Sequence, residues 1–539
     1  MIEESFSPTN DGKCSESDLG MVVTAFPDAT QAGLDMFKLG GNAVDAACAA
    51  AVALGVCEPQ GSGIGGQSVA ILHINKRTIA IDGSSKAPSL ARSSGFSNDS
   101  ERKLGYKATT IPTTLAVLGY LNEKYGRLSW RTIVQPALNI ASIGYRITEL
   151  QSFLLKRELK NFLNVPSQSG AKLFFKKGLL PYEPGDLFIQ PELATTLSEV
   201  ALNGYQKFYT GEIAERIDAD MRKHGGLLRL EDLALIPDVI EREPVEGTYR
   251  GYSIKSLPPP GSGETLLFIL AMMESLPQEL LQEDSPEKYW WLAEILHKAF
   301  IDYRQNPRNP NTFQQITGYE KLLRQRASQF IAKIEAGERL LGRTDAAKQG
   351  KGETTHISVI DRDGNAIGLT QSLNLVYGAK VSTEGLGFLY NNYIEAFQFE
   401  RPDHYYNLRP GGIPWPCATP TIVFKNNKPW LVFGSPGSQR IFSSMAQFLS
   451  KLIDQEMSID KAMMHPRIHS EQNGELSLES ERFEPSIIEF LKKKGYEIKS
   501  RESFSFYMGA IHAALMRQTG QGFQGVADIR RDGTAMGNQ

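Results

Sequence analysis

The chain has little of several things that announce a function. Four cysteines in 539 residues, Cys14, Cys48, Cys57 and Cys417, are too few and too scattered for a disulfide framework, and no Cys/His spacing reads as a zinc site. A dominant charge is also missing. Lys and Arg number 58 against 61 Asp and Glu, a net charge of −3, which leaves no basic footprint for nucleic acid or anionic lipid. No apolar run approaches the ~20 residues that span a bilayer. Residues 1–19 are polar and acidic, without the apolar stretch of a secretory signal. These absences set the expectation of a cytoplasmic protein with reduced thiols, using no metal or cofactor and taking neither nucleic acid nor membrane as partner.

What is present is pattern. Apolar residues make up 41% of the chain, enough at this length for a large core, and length alone suggests about three domains. After a flexible leader over 1–20, residues 21–25 read as a strand and 29–39 and 43–56 as helices. Gly40-Gly41 punctuates the two helices, and Asn42 is placed to cap the second. Gly61-Ser62-Gly63-Ile64-Gly65-Gly66 follows a helix and precedes a strand over 68–74. Phosphate-cradling loops have the opposite order, so this one reads as a tight turn with close backbone packing. Residues 112–341 are mainly helical in pattern. From 354 onward alternation returns: 355–361 and 365–372 flank Arg362-Asp363-Gly364, a hairpin signal. Further strands are expected over 421–425, 429–434, 509–518 and 522–530, with helices over 441–454 and 485–494. Strands grouped at both ends around a helical middle predict sheets covered by helices in one α+β body.

The most informative stretch is Glu353-Thr354-Thr355-His356. Residues 342–352 before it are polar, basic and glycine-punctuated, like an exposed loop. If the Glu353–Thr354 bond is cut, Thr354 becomes a terminus with a hydroxyl and a free amine on one residue, a recognised way to activate a weak nucleophile. An α-amine has a pKa of about 7.7–8.0, near working pH, so it can take the hydroxyl proton directly or through water. The same hydroxyl can attack the Glu353 carbonyl in the precursor. The plainer reading is a strand start, because β-branched residues suit strands. A tetrahedral oxyanion needs fixed N–H donors, and Gly434-Ser435-Pro436-Gly437-Ser438-Gln439-Arg440, between a strand and a helix, can present them; an ordinary β–α turn is the alternative. His356 is expected to be structural.

Taken together, the motifs resemble those of the γ-glutamyltransferases (glutathione hydrolases), self-cleaving N-terminal-nucleophile enzymes. The likeness runs from Met21 to Gly537 through Ala43-Val44-Asp45-Ala46-Ala47, Glu58-Pro59, Tyr125-Gly126-Arg127-Leu128, Pro258-Pro259-Pro260, Thr354-Thr355-His356, Asn391-Asn392, Gly434-Ser435-Pro436-Gly437 and Asp528-Ile529-Arg530. It implies a four-layer αββα sandwich built from two associated fragments, 21–353 and 354–539, with the cleavage site between Glu353 and Thr354. It also implies a small-molecule amide as substrate. Carried over by position, Thr354 is nucleophile and terminal base, Ser372 is the hydroxyl beside it, Asn374 contacts substrate, and the amides of Gly437 and Ser438 form the oxyanion hole.

The glutamyl-holding residues depart from the family pattern. Ser84, in Ser84-Ser85-Lys86-Ala87-Pro88, stands where the family has the arginine that binds the substrate α-carboxylate. Tyr393 and Ala396 replace a glutamine and an aspartate, and Pro416-Cys417 replaces paired serines. An arginine fork is worth ~1.5–3 kcal/mol per charged hydrogen bond, so these changes bear on specificity. Lys86 and Glu395 are nearby substitutes in sequence. Tyr393, Phe397 and Trp415 make the expected pocket more aromatic, and the short segment 400–413 suggests an open one. Two substrate readings stand: a γ-glutamyl or similar small acyl amide, or a non-glutamyl amide such as oxamate or a cephalosporin-type side chain. An inert binding scaffold is the third reading.

Overall fold

The computed structural model describes residues 12–314, 318–338, 352–471, 474–517 and 522–537. Its alternating segments assemble into two seven-stranded sheets, antiparallel at every pairing. One runs in the order Thr534–Gly537, Gly20–Thr24, Gly352–Asp361, Ala366–Leu375, Gln67–Ile74, Arg77–Gly83, Ile240–Arg242. The other runs Cys14–Ser17, Phe523–Ala527, His512–Met516, Lys428–Gly434, Thr421–Lys425, Tyr252–Ser256, Val245–Tyr249.

Successive side chains on a strand point to opposite faces, and that period sorts the core into layers. Met21 and Val23 join Ile71, Ile360, Ile422 and Val432 between the sheets, whereas Val22 belongs to the cluster beneath the outer helices. Helices Pro27–Lys38 and Ala43–Cys57 cover the first sheet. The second of them is buried almost throughout, and its alanines let it lie close to the sheet. It starts as the sequence suggests: Asn42 Oδ1 accepts from Val44 N and Asp45 N, while Asp45 Oδ2 accepts from Asn42 N at 2.9 Å. Helices Gly263–Glu274 and Arg440–Ile453 cover the other sheet. The result is the expected four-layer αββα sandwich.

Residues before and after Thr354 interleave in both sheets. Strand Gly352–Asp361 is held between Ala366–Leu375 on one side and Gly20–Thr24 on the other, with Ser358 opposite Val23. Each fully buried Val, Ile or Leu in this arrangement contributes ~1.5–3 kcal/mol, so breaking one backbone bond at 353–354 leaves ample contact to hold the two portions together.

The expectation of a flexible leader over 1–20 needs correction for the residues described. Cys14–Ser17 is an edge strand paired with Phe523–Ala527, and Lys13 Nζ donates to the carbonyls of Arg531 at 2.6 Å and Gly533 at 2.7 Å. A short polar edge strand carries no hydrophobic alternation, so its sequence does not reveal it. Residues 1–11 lie outside the described residues, as do 342–351 of the anticipated exposed loop. Helix Glu149–Leu163, strand Arg77–Gly83 and the small sheet of Ile468–Ser470, Glu475–Glu479 and Glu497–Arg501 add to the elements expected. Among the described residues no helix is long and apolar enough to cross a membrane.

Candidate active site

Thr354 sits near the start of the interior strand Gly352–Asp361 of the first sheet, where the register with Ala366–Leu375 shifts between Glu353 and Thr355. Such an irregularity re-aims a side chain, and Thr354 lines a cavity of about 130 Å³. Across from it, Ser372 Oγ is a three-way junction. It accepts from Thr354 Oγ1 at 3.2 Å and from Asn374 N at 2.8 Å, and it donates to the Glu353 carbonyl oxygen at 2.7 Å. A continuous chain of hydrogen bonds therefore links the Thr354 hydroxyl to the carbonyl of the peptide bond preceding it. All three residues are buried.

The backbone around this junction is packed without slack. A Cβ on Gly66 would lie 2.4 Å from the Ser372 carbonyl oxygen, and one on Gly65 would lie 2.2 Å from that of Leu389. Here the glycine run after Ala43–Cys57 does the packing its order in the sequence implied. Glu353 is clasped from the far end of the chain: Arg531 Nε and Nη2 reach its two carboxylate oxygens, each at 3.2 Å. Nearby, burial pushes the Glu58 carboxyl well above the usual range, and the Glu353 charge adds to that. His356 is structural, as expected. It is bonded to Thr370 Oγ1 and Ser358 Oγ at 2.8 and 3.0 Å, burial holds its pKa well below the ordinary value, and its ring fills the space beside Gly434.

Gly434 ends the strand leading into the loop at 435–439 and helix Arg440–Ile453. Gly437 and Ser438 both have positive φ, +124° and +54°, a left-handed conformation that glycine adopts freely and that a serine rarely does. Ser438 lines the cavity, and a Cβ on Gly352 would meet the Ser438 Cβ at 2.8 Å. The segment just before Thr354 and this loop are thus in direct contact. Gly437 adjoins the wall rather than forming it.

Of the residues proposed to hold substrate, Asn374, Tyr393, Glu395 and Cys417 line the cavity. Asn374 Nδ2 donates to Glu395 Oε2 at 3.3 Å and to the Asn392 carbonyl at 3.2 Å. Tyr393 is buried beside Ser372 and Gln67, and burial raises its phenol. Burial also raises the Cys417 thiol, which lies 3.4 Å from the Tyr303 hydroxyl. Cys417 is therefore a neutral wall residue. Phe397 and Trp415 complete an aromatic side, with Trp415 stacked on Tyr406 at 4.9 Å, so segment 400–413 contributes cover despite its shortness.

Ser84 and Lys86 are corrections: neither lines the cavity. Ser84 N is bonded to Asp82, Ser85 N to Gln67 Oε1, and the Lys86 carbonyl to Ile111 N, which ties this loop behind Gln67. In their place helix Pro286–Gln305 brings Tyr303 and Arg304 to the wall. Nothing in their local sequence marks them, because only the fold joins that helix to the strand of Thr354. Among the described residues no group of His, Cys, Asp or Glu is arranged to hold a metal ion.

Comparison with known proteins agrees with this architecture. The family model described as gamma-glutamyltranspeptidase matches residues 29–538. The glutathione hydrolase proenzyme of Escherichia coli K12 is 32% identical over 95% of this chain and 90% of its own length. The acylase ACY 1 proenzyme of Pseudomonas sp. strain V22 is 30% identical over 98% of this chain and 95% of its own. Among solved structures, cephalosporin acylase from Bacillus halodurans superposes with a TM-score of 0.87 at 26% identity, covering 100% of this chain and 99% of that one. Helicobacter pylori gamma-glutamyltranspeptidase superposes with a TM-score of 0.53 at 33% identity, covering 61% of this chain and 93% of that one. The chain is an enzyme and belongs to the gamma-glutamyltranspeptidase family.

Proposed function

We propose that this enzyme cuts its own Glu353–Thr354 bond and then uses Thr354 as an N-terminal nucleophile to hydrolyse, or transfer, a γ-glutamyl or similar small acyl group from an amide. The observation that carries the reading is the hydrogen-bond chain from Thr354 Oγ1 through Ser372 Oγ to the Glu353 carbonyl. In maturation Thr354 Oγ1 attacks the Glu353 carbonyl carbon. Its proton passes to Ser372 as Ser372 yields its own to the carbonyl oxygen. Collapse of the tetrahedral adduct breaks the C–N bond, the nitrogen gains a proton, and Glu353 is left as an ester on Thr354. Water hydrolyses that ester, giving a Glu353 carboxylate and a free Thr354 amine.

In turnover the freed amine takes the hydroxyl proton, directly or through water. Thr354 Oγ1 attacks the substrate carbonyl, and the amides of Gly437 and Ser438 receive the oxyanion. The leaving amine departs with a proton, and water releases the acyl group as an acid. A non-glutamyl acyl group is the second reading. Its support is the wall itself, where Tyr393, Ala396, Pro416 and Cys417 stand at the glutamyl-holding positions.

Denaturing electrophoresis tests the mechanism. Purified protein is expected to resolve into pieces of residues 1–353 and 354–539, and Thr354→Ala is expected to remain whole and inactive. A wild-type chain that stays intact through prolonged incubation refutes self-cleavage. Turnover of γ-glutamyl anilide, oxamate and simple acyl anilides decides between the two substrate readings.

A further inference from the structure

Arg304 is the next-to-last residue of helix Pro286–Gln305, and it lines the cavity that contains Thr354. Its guanidinium carbon lies 5.3 Å from the centre of the Trp415 ring and 6.0 Å from that of Tyr303. Among the described residues its guanidinium makes no hydrogen bond or ion pair, and its Nε is shielded from solvent. The acid nearest to it in sequence, Asp302, is engaged instead by Arg326 at 2.5 Å. Glu395, also on the wall, accepts from Asn374 and is not ion-paired with Arg304. Lys86, the other cation considered for this role, is elsewhere.

A guanidinium at a cavity wall that has no acceptor from the chain can take one from a ligand through its outer N–H groups. A guanidinium lying against aromatic rings keeps its N–H edge available for a planar, bidentate partner, and carboxylate geometry fits that edge. We propose that Arg304 is the specificity-determining residue that binds a carboxylate on the acyl group taken by Thr354, so that the substrates are amides whose acyl half carries a free carboxylate. A cation from the helical region thereby replaces the arginine missing at Ser84. This proposal rests on Thr354 being the nucleophile.

The test uses the self-processed enzyme and three anilides of equal acyl length: glutaryl (carboxylate only), γ-L-glutamyl (carboxylate and ammonium) and valeryl (neither). Arg304→Gln is expected to raise KM for the first two by about 10- to 100-fold, the loss of a charge-assisted pair. Valeryl anilide turnover should change by no more than about 2-fold on the same reasoning. Arg304→Lys should recover part of the loss. Arg304→Glu should instead gain turnover of 5-aminovaleryl anilide, whose charge is reversed. Equal effects on all three substrates, or none, overturn the proposal. Should the wild type turn over none of them, a thermal shift with glutarate or L-glutamate that Arg304→Gln abolishes supports it, and no shift overturns it. Cleavage at Glu353–Thr354 in the Arg304 variants is read alongside. Variants that cut normally with an unchanged substrate profile overturn the role of Arg304 and leave that of Thr354 standing, whereas an uncut wild type overturns the nucleophile itself.

Discussion

Removing the Ser372 hydroxyl is the perturbation that probes the site most directly. Its Oγ meets Thr354 Oγ1, Asn374 N and the Glu353 carbonyl oxygen at 3.2, 2.8 and 2.7 Å. In the resting chain these are neutral hydrogen bonds, each worth ~1 kcal/mol net, with ~1–3 kcal/mol at stake for a buried group left unpaired. Ser372→Ala is therefore expected to cost only a small part of the stability. The rate is more sensitive. As Thr354 attacks, charge develops on the Glu353 carbonyl oxygen, and the donor facing it becomes charge-assisted. Loss of one such donor slows acyl chemistry by about 10²- to 10³-fold. The assay follows the appearance of the two pieces on a denaturing gel from freshly synthesised protein, with circular dichroism confirming the fold. Ser372→Thr keeps the hydroxyl and is expected to process far faster than Ser372→Ala. A folded Ser372→Ala protein that matures at the wild-type rate refutes the relay.

Other consequences are checked by stability measurements. Arg531→Met strips the buried Glu353 carboxylate of its fork, at a cost of ~3–5 kcal/mol. Its denaturation midpoint should fall and its self-cleavage slow, and adding Glu353→Gln should recover part of the stability; an unchanged midpoint in Arg531→Met contradicts the clasp. Gly66→Ala sets a methyl 2.4 Å from the Ser372 carbonyl, an overpacking of ~1–3 kcal/mol, so it should delay maturation as well as destabilise. Burial lowers His469 from 6.5 to about 4 and His512 from 6.5 to about 3. Both are neutral in the folded chain and take up protons on unfolding once the pH drops below 6.5. Their contribution is whole above that value and is eroded as the pH falls toward 4 and 3, on the order of 3 kcal/mol for His469 alone. Urea midpoints should decline as the pH falls from about 6 to about 4.5; a flat profile over that range excludes the effect.

The parts of this enzyme legible in its sequence are those whose signal is local. Alternation around Arg362-Asp363-Gly364 announces the hairpin carrying Thr354 and Ser372. The Asn42 cap and the alanine-crowded helix behind it follow from spacing. Glycines at 65 and 66 mark close approach because the surrounding order excludes a phosphate cradle. Other elements give no such signal. Cys14–Ser17 is polar because it lies at a sheet edge, so periodicity passes over it. Arg531 meets Glu353 across 178 positions of chain, and Arg304 reaches the cavity only because its helix packs against the second sheet's side of the sandwich. Matching residues position by position then misleads in a specific way: it finds Ser84 where an arginine is expected and infers that the cation is lost.

The three-dimensional arrangement separates two requirements that a linear comparison merges. For the proposed chemistry the Thr354 hydroxyl, the Ser372 hydroxyl and the Glu353 carbonyl must hold their separations closely, because proton transfer along the chain depends on them. They accordingly lie on adjacent strands, at an irregularity in the ladder that is braced by glycine contacts and by the Arg531 clasp. The acyl end of the cavity has a looser demand, namely a charge of the right sign at a suitable distance, and any element that reaches the wall can supply it. Here that wall is drawn from the turn Tyr393–Ala396, the segment around Trp415 and the end of helix Pro286–Gln305. Exchanging a cation between such elements changes which acyl groups fit while leaving the Thr354–Ser372–Glu353 geometry undisturbed.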